Sequence, residues 1–270
     1  MQSVAKSDTG GPMNTIVCVK QVPEEIRINK SRGTLIRDGI KGVINPCDKN
    51  AIELAVALKE KHGGKVTLVS MGPKDVESTL THGLAMGADE AVLMCDRTLA
   101  GADTLATALA LATAIKKLGD FQLVLCGKET SDSGTQHVGP QLACFLGINQ
   151  VTYVVNIVIE GDRARARRQL KDEYETVELG LPLLATVIKG INEPRMPTYM
   201  DIYEASSKET HNWCIDDLGL KEDQIGLKGS PTKIADVFAP EARRRCKMLR
   251  GSAEDMSNTL VEDLKSKDLV

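Results

Sequence analysis

The stretch FQLVLCGKETSDSGTQHVGPQLACFLG, residues 121–147, contains the unit that decides the fold. Residues 121–126 form a short apolar run typical of a buried strand, and residues 136–146 have the pattern of a helix that ends at Gly147. The hydroxyl-rich loop between them, residues 127–139, would then follow a strand and open a helix. This order predicts a βα unit of a parallel sheet.

The same alternation runs through the first two-thirds of the chain. Predicted strands cover residues 15–19, 65–70 and 91–94. Predicted helices cover residues 48–62, 75–86 and 103–118, with Asp48 as the expected N-cap of the first. Glycine follows each of these helices, which agrees with a helix end. We therefore predict an α/β fold of three layers, with a mostly parallel sheet and helices on both faces.

A hairpin follows this region. Residues 151–159 and 163–170 are extended runs joined by Glu160-Gly161-Asp162, which is a turn signal. The second run reads R-A-R-A-R-R, so its arginines are expected on an exposed face. We interpret it as a solvated edge strand protected by charge, and the alternative is a contact face for a partner. Residues 183–187 predict one more strand.

The two ends of the chain lack such patterns. Residues 1–12 are small and polar, and we expect a disordered extension or a tag before an α/β domain at 13–190. Two prolines in N-E-P-R-M-P-T predict an extended loop within 191–211. Residues 212–270 have weak periodicity and a charged end, so we expect an arm that packs on another subunit. Disorder of roughly the last 20 residues is the alternative.

Composition excludes several classes of function. A net charge of −3 and an aromatic content of 3% argue against nucleic-acid binding. No run approaches the roughly 18 apolar residues that a membrane span needs. The 7 cysteines are scattered without a C-x-x-C pair, so we predict no metal site and interpret them as small buried residues of a protein from the reducing cytoplasm.

Ligands of parallel α/β sheets bind beyond the carboxyl ends of the strands, which places the hydroxyl-rich loop at the candidate site. Gly134 lets backbone N–H groups turn inward, and the helix start near Gln136 supplies positive dipole. Hydroxyl donors come from Ser131, Ser133 and Thr135. These features predict a diphosphate cradle of an adenine nucleotide; a structural turn is the alternative. Glu129 and Asp132 would repel phosphate, so we expect them on ribose hydroxyls or pointing outward.

The familiar nucleotide motifs are absent from the sequence. It contains no G-x-G and no P-loop, so Rossmann dinucleotide enzymes and P-loop kinases lose most of their support. The 4 histidines show no nucleophile or metal-ligand spacing, and His137 in the hydroxyl-rich loop is the one that merits a test. We predict no catalytic residue of the chain itself. A bound flavin would perform the redox chemistry.

Five motifs occur in order and point to a family. They are I-V-C-V-K-Q-V-P (16–23), V-I-N-P-C-D (43–48), G-K-E-T-S-D-S-G-T-Q-x-V-G-P (127–140), R-Q-L-K-D-E-Y-E-T-V-E-L-G-L-P-L-L-A-T (168–186) and N-E-P-R-M-P-T (192–198). In this combination the chain resembles the beta subunit of electron-transfer flavoproteins. The resemblance covers residues 14–213 and is looser beyond them.

The resemblance implies a set of cofactor-binding residues. Those expected to line the nucleotide are Cys18, Asn45, Pro46, Cys47, Asp48, Met71, Gly127, Thr130, Ser131, Asp132, Ser133, Gly134, Thr135, Gln136, His137, Val138, Gly139, Pro140 and Gln141. Contacts to the flavin ring are expected from Lys20, Val22 and Pro23, and further contacts from the helix start at Asp103 and Thr104.

Two classes of the family differ in this ligand. The ordinary class holds AMP, and the electron-bifurcating class holds a FAD that accepts a hydride from NADH. The T-S-D-S-G-T loop and the Ala102-Asp103-Thr104 helix start resemble the bifurcating class. The implied partners are the alpha subunit with its own FAD, ferredoxin or flavodoxin, and a flavin dehydrogenase such as an acyl-CoA or hydroxy-acid dehydrogenase.

The loop within 191–211 is implied to recognise that dehydrogenase, through Glu193, Arg195 and Tyr199. Many relatives carry an apolar anchor, usually leucine, followed by a lysine-containing helix. Here Tyr199 stands at the anchor position and the lysines are missing, which leaves the partner's identity open. Three hypotheses remain: a bifurcating subunit, an ordinary AMP-holding subunit, and an ATP-binding stress-type α/β protein without a redox role.

Overall fold

The computed structural model describes residues 11–25, 39–233, 235 and 246–270, with the backbone of two short strands at 27–29 and 34–36. The extension predicted for residues 1–12 lies almost entirely outside the described residues. Met13 is already buried, and its backbone N–H donates to Gly63 O at 3.1 Å. The folded body therefore includes the residue at which the α/β domain was predicted to begin.

The strands alternate with helices along the chain. In chain order the strands are β1 (Thr15–Cys18), β2 (Gln21–Pro23), β3 (Arg27–Asn29), β4 (Thr34–Ile36), β5 (Gly42–Ile44), β6 (Val66–Met71), β7 (Glu90–Met94), β8 (Leu123–Gly127), β9 (Asn149–Glu160), β10 (Arg163–Gln169), β11 (Tyr174–Gly180), β12 (Leu183–Val187) and β13 (Thr210–Trp213). The helices are α1 (Pro46–His62), α2 (Val76–Ala85), α3 (Thr104–Leu118), α4 (Val138–Leu146), α5 (Tyr199–Ala205), α6 (Ile215–Leu218), α7 (Gly226–Gly229) and α8 (Ala253–Lys265).

Within the described residues, nine strands form one sheet in the order β11-β10-β9-β12-β8-β1-β6-β7-β13. All neighbours from β9 to β13 in this order are parallel, and β10 and β11 are antiparallel. Side chains of successive strand residues point to opposite faces. Val17 and Leu125 pack on the face covered by α1 and α2, whereas Ile16 and Val124 pack on the face covered by α3 and α4. The predicted three-layer α/β fold is confirmed.

The antiparallel end of the sheet corrects one expectation. The hairpin at Gly161 is present, and β10 exposes three of its four arginines, leaves Arg168 half-buried, and buries Ala164 and Ala166. The prediction that this run is an edge strand is wrong, because β11 pairs along its other side. The turn signal between β10 and β11 is weak, and the alternation of exposed and buried residues does not depend on how many neighbours a strand has.

The sheet also extends beyond the predicted domain. Strand β13 was not predicted, yet it pairs in parallel with β7 from Thr210↔Ala91 to Trp213↔Met94. Ile215, Leu218 and Ile225 then pack on the α3 face, whereas α8 contributes no buried residue. The boundaries at 191 and 212 stay predictions. No helix in the described part of the chain is long and apolar enough to cross a membrane.

We predict that Gly139→Ala destabilises the fold by about 1–3 kcal/mol, because it overpacks the contact between α4 and β12. A Cβ at residue 139 would lie 2.4 Å from Thr186 Cγ2. The Thr186 side chain cannot turn away without losing the hydrogen bond that its Oγ1 accepts from Tyr153 N at 3.2 Å. Thermal unfolding measures the effect. Gly180→Ala is the control, since nothing lies within 4 Å of its Cβ and its φ is not positive; equal melting temperatures for the two variants would contradict the prediction.

Candidate functional site

The sheet reverses its winding direction at β1. Strand β1 lies between β6 and β8, and the chain leaves β1 towards β6 on one side and later leaves β8 towards the opposite edge. Such a reversal opens a crevice at the carboxyl ends of the two strands. Lys20 follows β1, and Gly127 ends β8. The switch crevice between these two residues is where a nucleotide site is expected.

A buried carboxylate holds this crevice together. Asp48 Oδ2 accepts a hydrogen bond from Lys20 N at 2.8 Å, and Oδ1 accepts from Gly127 N at 3.0 Å and Asn45 Nδ2 at 3.0 Å. Asp48 is 4% exposed. The prediction that Asp48 is the N-cap of α1 is wrong, because Asn45 occupies that position and Asp48 lies in the first turn. The tertiary contact of Asp48 with the ends of β1 and β8 gives this residue a different role.

Gly127 is required at its position by this contact. A Cβ at residue 127 would lie 2.2 Å from Asp48 Oδ1 and 2.7 Å from Cys47 Cβ. Only glycine lets the end of β8 approach the first turn of α1 so closely. Gly127 was predicted as a site residue, and it lies at the crevice as the support of Asp48.

Asn45 ties the hydroxyl-rich loop to the same helix start. Its Nδ2 donates to Glu129 O at 2.8 Å, and its Oδ1 accepts from Ser131 N at 3.1 Å. The side chain of Asn45 therefore holds the loop through the backbone atoms of the loop. Its hydroxyl groups stay near the surface, where Thr130 Oγ1 and Ser133 Oγ lie 2.7 Å apart.

Both carboxylates of the hydroxyl-rich loop are paired with other groups. Lys20 Nζ donates to the two oxygens of Asp132 at 2.8 and 2.9 Å, across the crevice. Glu129 accepts from Gln136 Nε2 at 2.6 Å and lies 3.1 Å from Lys128 Nζ. These hydrogen bonds, first of all the one from Gln136, lower the pKa of Glu129. The negative charges of Asp132 and Glu129 are thus compensated by groups in the loop and next to it.

The loop contains two residues in the left-handed region. Gly134 has φ 60°, as expected for its predicted role, and Gln136 has φ 62°. A non-glycine residue there is uncommon and needs support from its surroundings. Tyr153 Oη donates to Gln136 Oε1 at 2.6 Å, and Tyr153 itself has φ 59° at the irregularity between β9 and β12. Sequence reasoning missed Tyr153, since only the fold brings it to a loop 17 residues away.

The starts of α3 and α4 differ. The N-terminus of α4 has no side-chain cap and no acidic residue in its first turn, so its first backbone N–H groups are open to an anion. Asp103 caps α3 instead, with Oδ1 accepting from Leu105 N and Ala106 N at 3.0 Å and Oδ2 accepting from Thr232 Oγ1 at 2.7 Å. An anion is therefore favoured at α4 and disfavoured at α3.

The remaining predicted residues divide into buried and accessible groups. Cys18, Cys47, Val22 and Pro23 are buried, the last two within the small β2–β5 sheet. Those at least partly accessible are Met71, Thr104, Thr130, Ser131, Ser133, Thr135, Gln136, His137, Val138, Pro140 and Gln141. Pro46 begins α1 beside Cys47. Their contacts with a cofactor stay predictions.

We predict that Asp48→Asn destabilises the fold most at low pH, by about 1–3 kcal/mol, because an amide cannot accept all three N–H donors. Burial raises the pKa of Asp48 from 3.8 to about 7. The folded state therefore binds more protons than the unfolded state between these values, and the stability contributed by Asp48 is lost as the pH rises through about 7. Melting temperatures between pH 5 and 8 should show the difference from wild type shrinking.

Asp172→Asn is the matched control for this titration, since Asp172 is exposed in the turn between β10 and β11. Its melting temperature should stay close to that of wild type. A wild-type advantage over Asp48→Asn that grows with pH would contradict the assignment of Asp48.

Comparison with known proteins identifies the family. The model of the electron transfer flavoprotein domain matches residues 32–218. An electron transfer flavoprotein subunit beta of Thermoanaerobacterium thermosaccharolyticum is 46% identical over 261 residues, covering 96% of this chain and all of the relative. The chain belongs to the electron transfer flavoprotein beta subunits. The resemblance seen in the sequence is confirmed, and the ATP-binding stress-type alternative is wrong.

Two further relatives of this beta subunit have more specific names. The caffeyl-CoA reductase–Etf complex subunit CarD of Acetobacterium woodii is 40% identical over 262 residues, covering 96% of this chain and all of the relative. Protein FixA of Azorhizobium caulinodans is 39% identical over 261 residues, with 93% of this chain and 92% of the relative covered.

The three residues predicted to bind a partner occupy different environments. Tyr199 is 96% exposed at the start of α5, and Glu193 is also exposed. Arg195 is half-buried and bonded to two carboxylates of α1. Exposed apolar side chains cluster around Tyr199 in what we call the apolar segment, residues 196–203, comprising Met196, Tyr199, Met200, Ile202 and Tyr203.

A second group of ionisable residues lies at the opposite end of the sheet. Ligand-type atoms of Glu90, Glu209 and His211 lie within 4.8 Å of one another. Contacts within the chain explain this cluster: Lys65 Nζ forms an ion pair with Glu90 Oε2 at 2.5 Å, and His211 Nε2 lies 3.3 Å from Glu209 Oε1. The cluster is remote from the switch crevice, because residue 90 begins β7 and the crevice lies at the carboxyl ends.

Proposed function

We propose that this beta subunit binds a FAD in the switch crevice and works in an electron-bifurcating complex. When bound, this flavin would accept a hydride from NADH; one electron would then pass to ferredoxin or flavodoxin and the other, through the alpha-subunit FAD, to a flavin dehydrogenase. The chain itself binds and orients the nucleotide. The proposal rests chiefly on one observation, the uncapped start of α4 behind the hydroxyl-rich loop.

The donors around the crevice fit a phosphate-bearing ligand. Backbone N–H groups at Val138 and Gly139 begin α4, where the helix dipole is positive. The left-handed residues Gly134 and Gln136 turn the preceding backbone, and such turns present N–H groups to anions. The hydroxyls of Thr130 and Ser133 lie on the accessible side of the loop.

The acidic residues of the loop do not oppose this ligand. Asp132 is neutralised by Lys20, and Glu129 is held by Gln136 and Lys128. Uncompensated, each carboxylate would repel a phosphate at short range. The pairs therefore support the expectation that the loop is built for an anion.

Sequence and relatives favour the bifurcating class. The T-S-D-S-G-T loop resembles that class, and a relative with 40% identity is a subunit of a caffeyl-CoA reductase–Etf complex. This relative also supports a dehydrogenase that acts on a CoA ester as the partner. The Asp103 start of α3 contributes less than its sequence suggested, because its carboxylate serves the backbone and Thr232.

An AMP-holding beta subunit is the second candidate. Its support is the difference between the helix starts, since α4 is open to an anion and α3 is capped by Asp103. The start of α4 lacks both a side-chain cap and an acidic residue in its first turn, and it would accept a single phosphate. In this case the FAD of the alpha subunit alone would carry electrons.

Two surfaces would serve the partner subunits. Helix α8 places Met256, Leu260 and Leu264 at i, i+4 and i+8 on one stripe, and it has no buried residue in this chain. We assign this stripe to the alpha subunit. The apolar segment, with Tyr199 at its centre, is assigned to the dehydrogenase, because exposed aromatic and Met side chains act as anchors in partner pockets.

Nucleotide extraction from the co-purified heterodimer tests the function. The bifurcating subunit predicts two FAD per heterodimer, no AMP, and bleaching of the flavin absorbance by NADH. One FAD and one AMP would support the second candidate. Absence of any adenine nucleotide from the beta subunit would contradict both.

We expect Lys20→Met to lower the nucleotide content of the beta subunit about tenfold, because Asp132 then loses its cation beside the anion site. The alpha-subunit flavin should be retained. Lys65→Met is the control, since it removes an ion pair with Glu90 at the opposite end of the sheet. The assignment fails if the two variants lose nucleotide equally, or if Lys20→Met keeps the full content.

A further inference from the structure

Arg195 is bound within the chain rather than presented to solvent. Its Nε donates to Glu53 Oε2 at 2.9 Å and its Nη2 to Glu53 Oε1 at 3.0 Å, which is a two-pronged pair. Its Nη1 donates to Glu60 Oε1 at 2.7 Å. The Arg195 backbone N–H also donates to Glu53 Oε2 at 2.9 Å. Two carboxylates of α1 thus accept hydrogen bonds from the guanidinium group and the backbone N–H of Arg195.

A reciprocal amide contact holds the preceding residues on the same helix. Asn50 Nδ2 donates to Asn192 O at 2.8 Å, and Asn192 Nδ2 donates back to Asn50 O at 3.0 Å. Asn50 is buried. The chain is therefore bound to α1 at two points, residues 192 and 195, immediately before the apolar segment begins.

The far end of the apolar segment is anchored too. Lys208 Nζ donates to Leu84 O in the last turn of α2 at 2.9 Å and to Ala88 O beyond this helix at 2.7 Å. Between the anchors, Thr198 caps α5 and forms a reciprocal box with Asp201, and Ala205 is buried. Exposed residues such as Met196, at 85% exposure, are thus carried on a backbone fixed at both sides.

We infer that Arg195 is a positioning residue: clamped by Glu53 and Glu60, it holds the apolar segment on α1 in the arrangement in which a partner docks, and it does not contact the partner through its guanidinium. The docking role of the segment rests on the proposed function. The clamp itself is independent of which nucleotide the crevice holds.

Helix α1 then supports both the switch crevice and the apolar segment. Its first turn carries Asp48, which joins β1 and β8 at the crevice. Glu53 and Glu60 lie about 8 and 18 Å further along the helix axis, at 1.5 Å per residue. A rigid helix between the crevice and the apolar segment fixes their separation.

A double-mutant cycle on the heterodimer tests the clamp, with amide hydrogen exchange of residues 196–205 as the readout. Arg195→Gln and Glu53→Gln should each speed exchange in this segment about tenfold, which corresponds to the loss of charge-assisted hydrogen bonds. The double variant should be no faster than either single variant, because each change breaks the same pair. Arg195→Lys should restore part of the protection, since it keeps the charge but not the two-pronged contact.

Arg167→Gln is the matched control, because this arginine stacks on Tyr174 at the far end of the sheet. Additive effects of Arg195→Gln and Glu53→Gln, or an unchanged exchange rate in either, would overturn the inference. Faster exchange spread over α1 and β1 would overturn it as well, in favour of a general stabilising role. Nucleotide content is measured in parallel and should be unchanged; its value reports on the proposed function separately.

Discussion

The site depends on the hydrogen bonds that the carboxylate of Asp48 accepts. It accepts hydrogen bonds from the backbone of Lys20 after β1 and from the backbone of Gly127 at the end of β8, and it belongs to the first turn of α1. Three elements thus meet at one buried group. A buried carboxylate is tolerated only when donors surround it. Two of the donors lie at the ends of the strands that border the crevice, and Asn45 Nδ2 at the start of α1 is the third.

Residues of α1 and its N-cap also hold two other segments of the chain. Before Asp48, Asn45 holds the hydroxyl-rich loop through Glu129 O and Ser131 N. After it, the helix carries the carboxylates that bind Arg195. The hydroxyl-rich loop and the apolar segment are therefore both held by one helix and its N-cap residue.

The loop itself combines paired charge with backbone strain. The ion pair of Lys20 with Asp132 and the bonds around Glu129 remove negative charge from the approach of an anion. The left-handed conformation of Gln136 is stabilised by the hydroxyl of Tyr153, itself in a strained conformation. Residues in such conformations persist where the surroundings determine them, and they concentrate at functional sites.

The sequence by itself determined the βα units, the helix ends at Gly63, Gly119 and Gly147, the hairpin at Gly161 and the position of the hydroxyl-rich loop, because periodicity and glycine geometry act over a few neighbouring residues. Its motifs also determined the family. Only the tertiary structure decided that β10 is internal, that β13 joins the sheet, and that Asp48, Tyr153 and Arg195 act through partners far along the chain. Such pairings depend on the free energy of contacts between distant residues, which local pattern does not record.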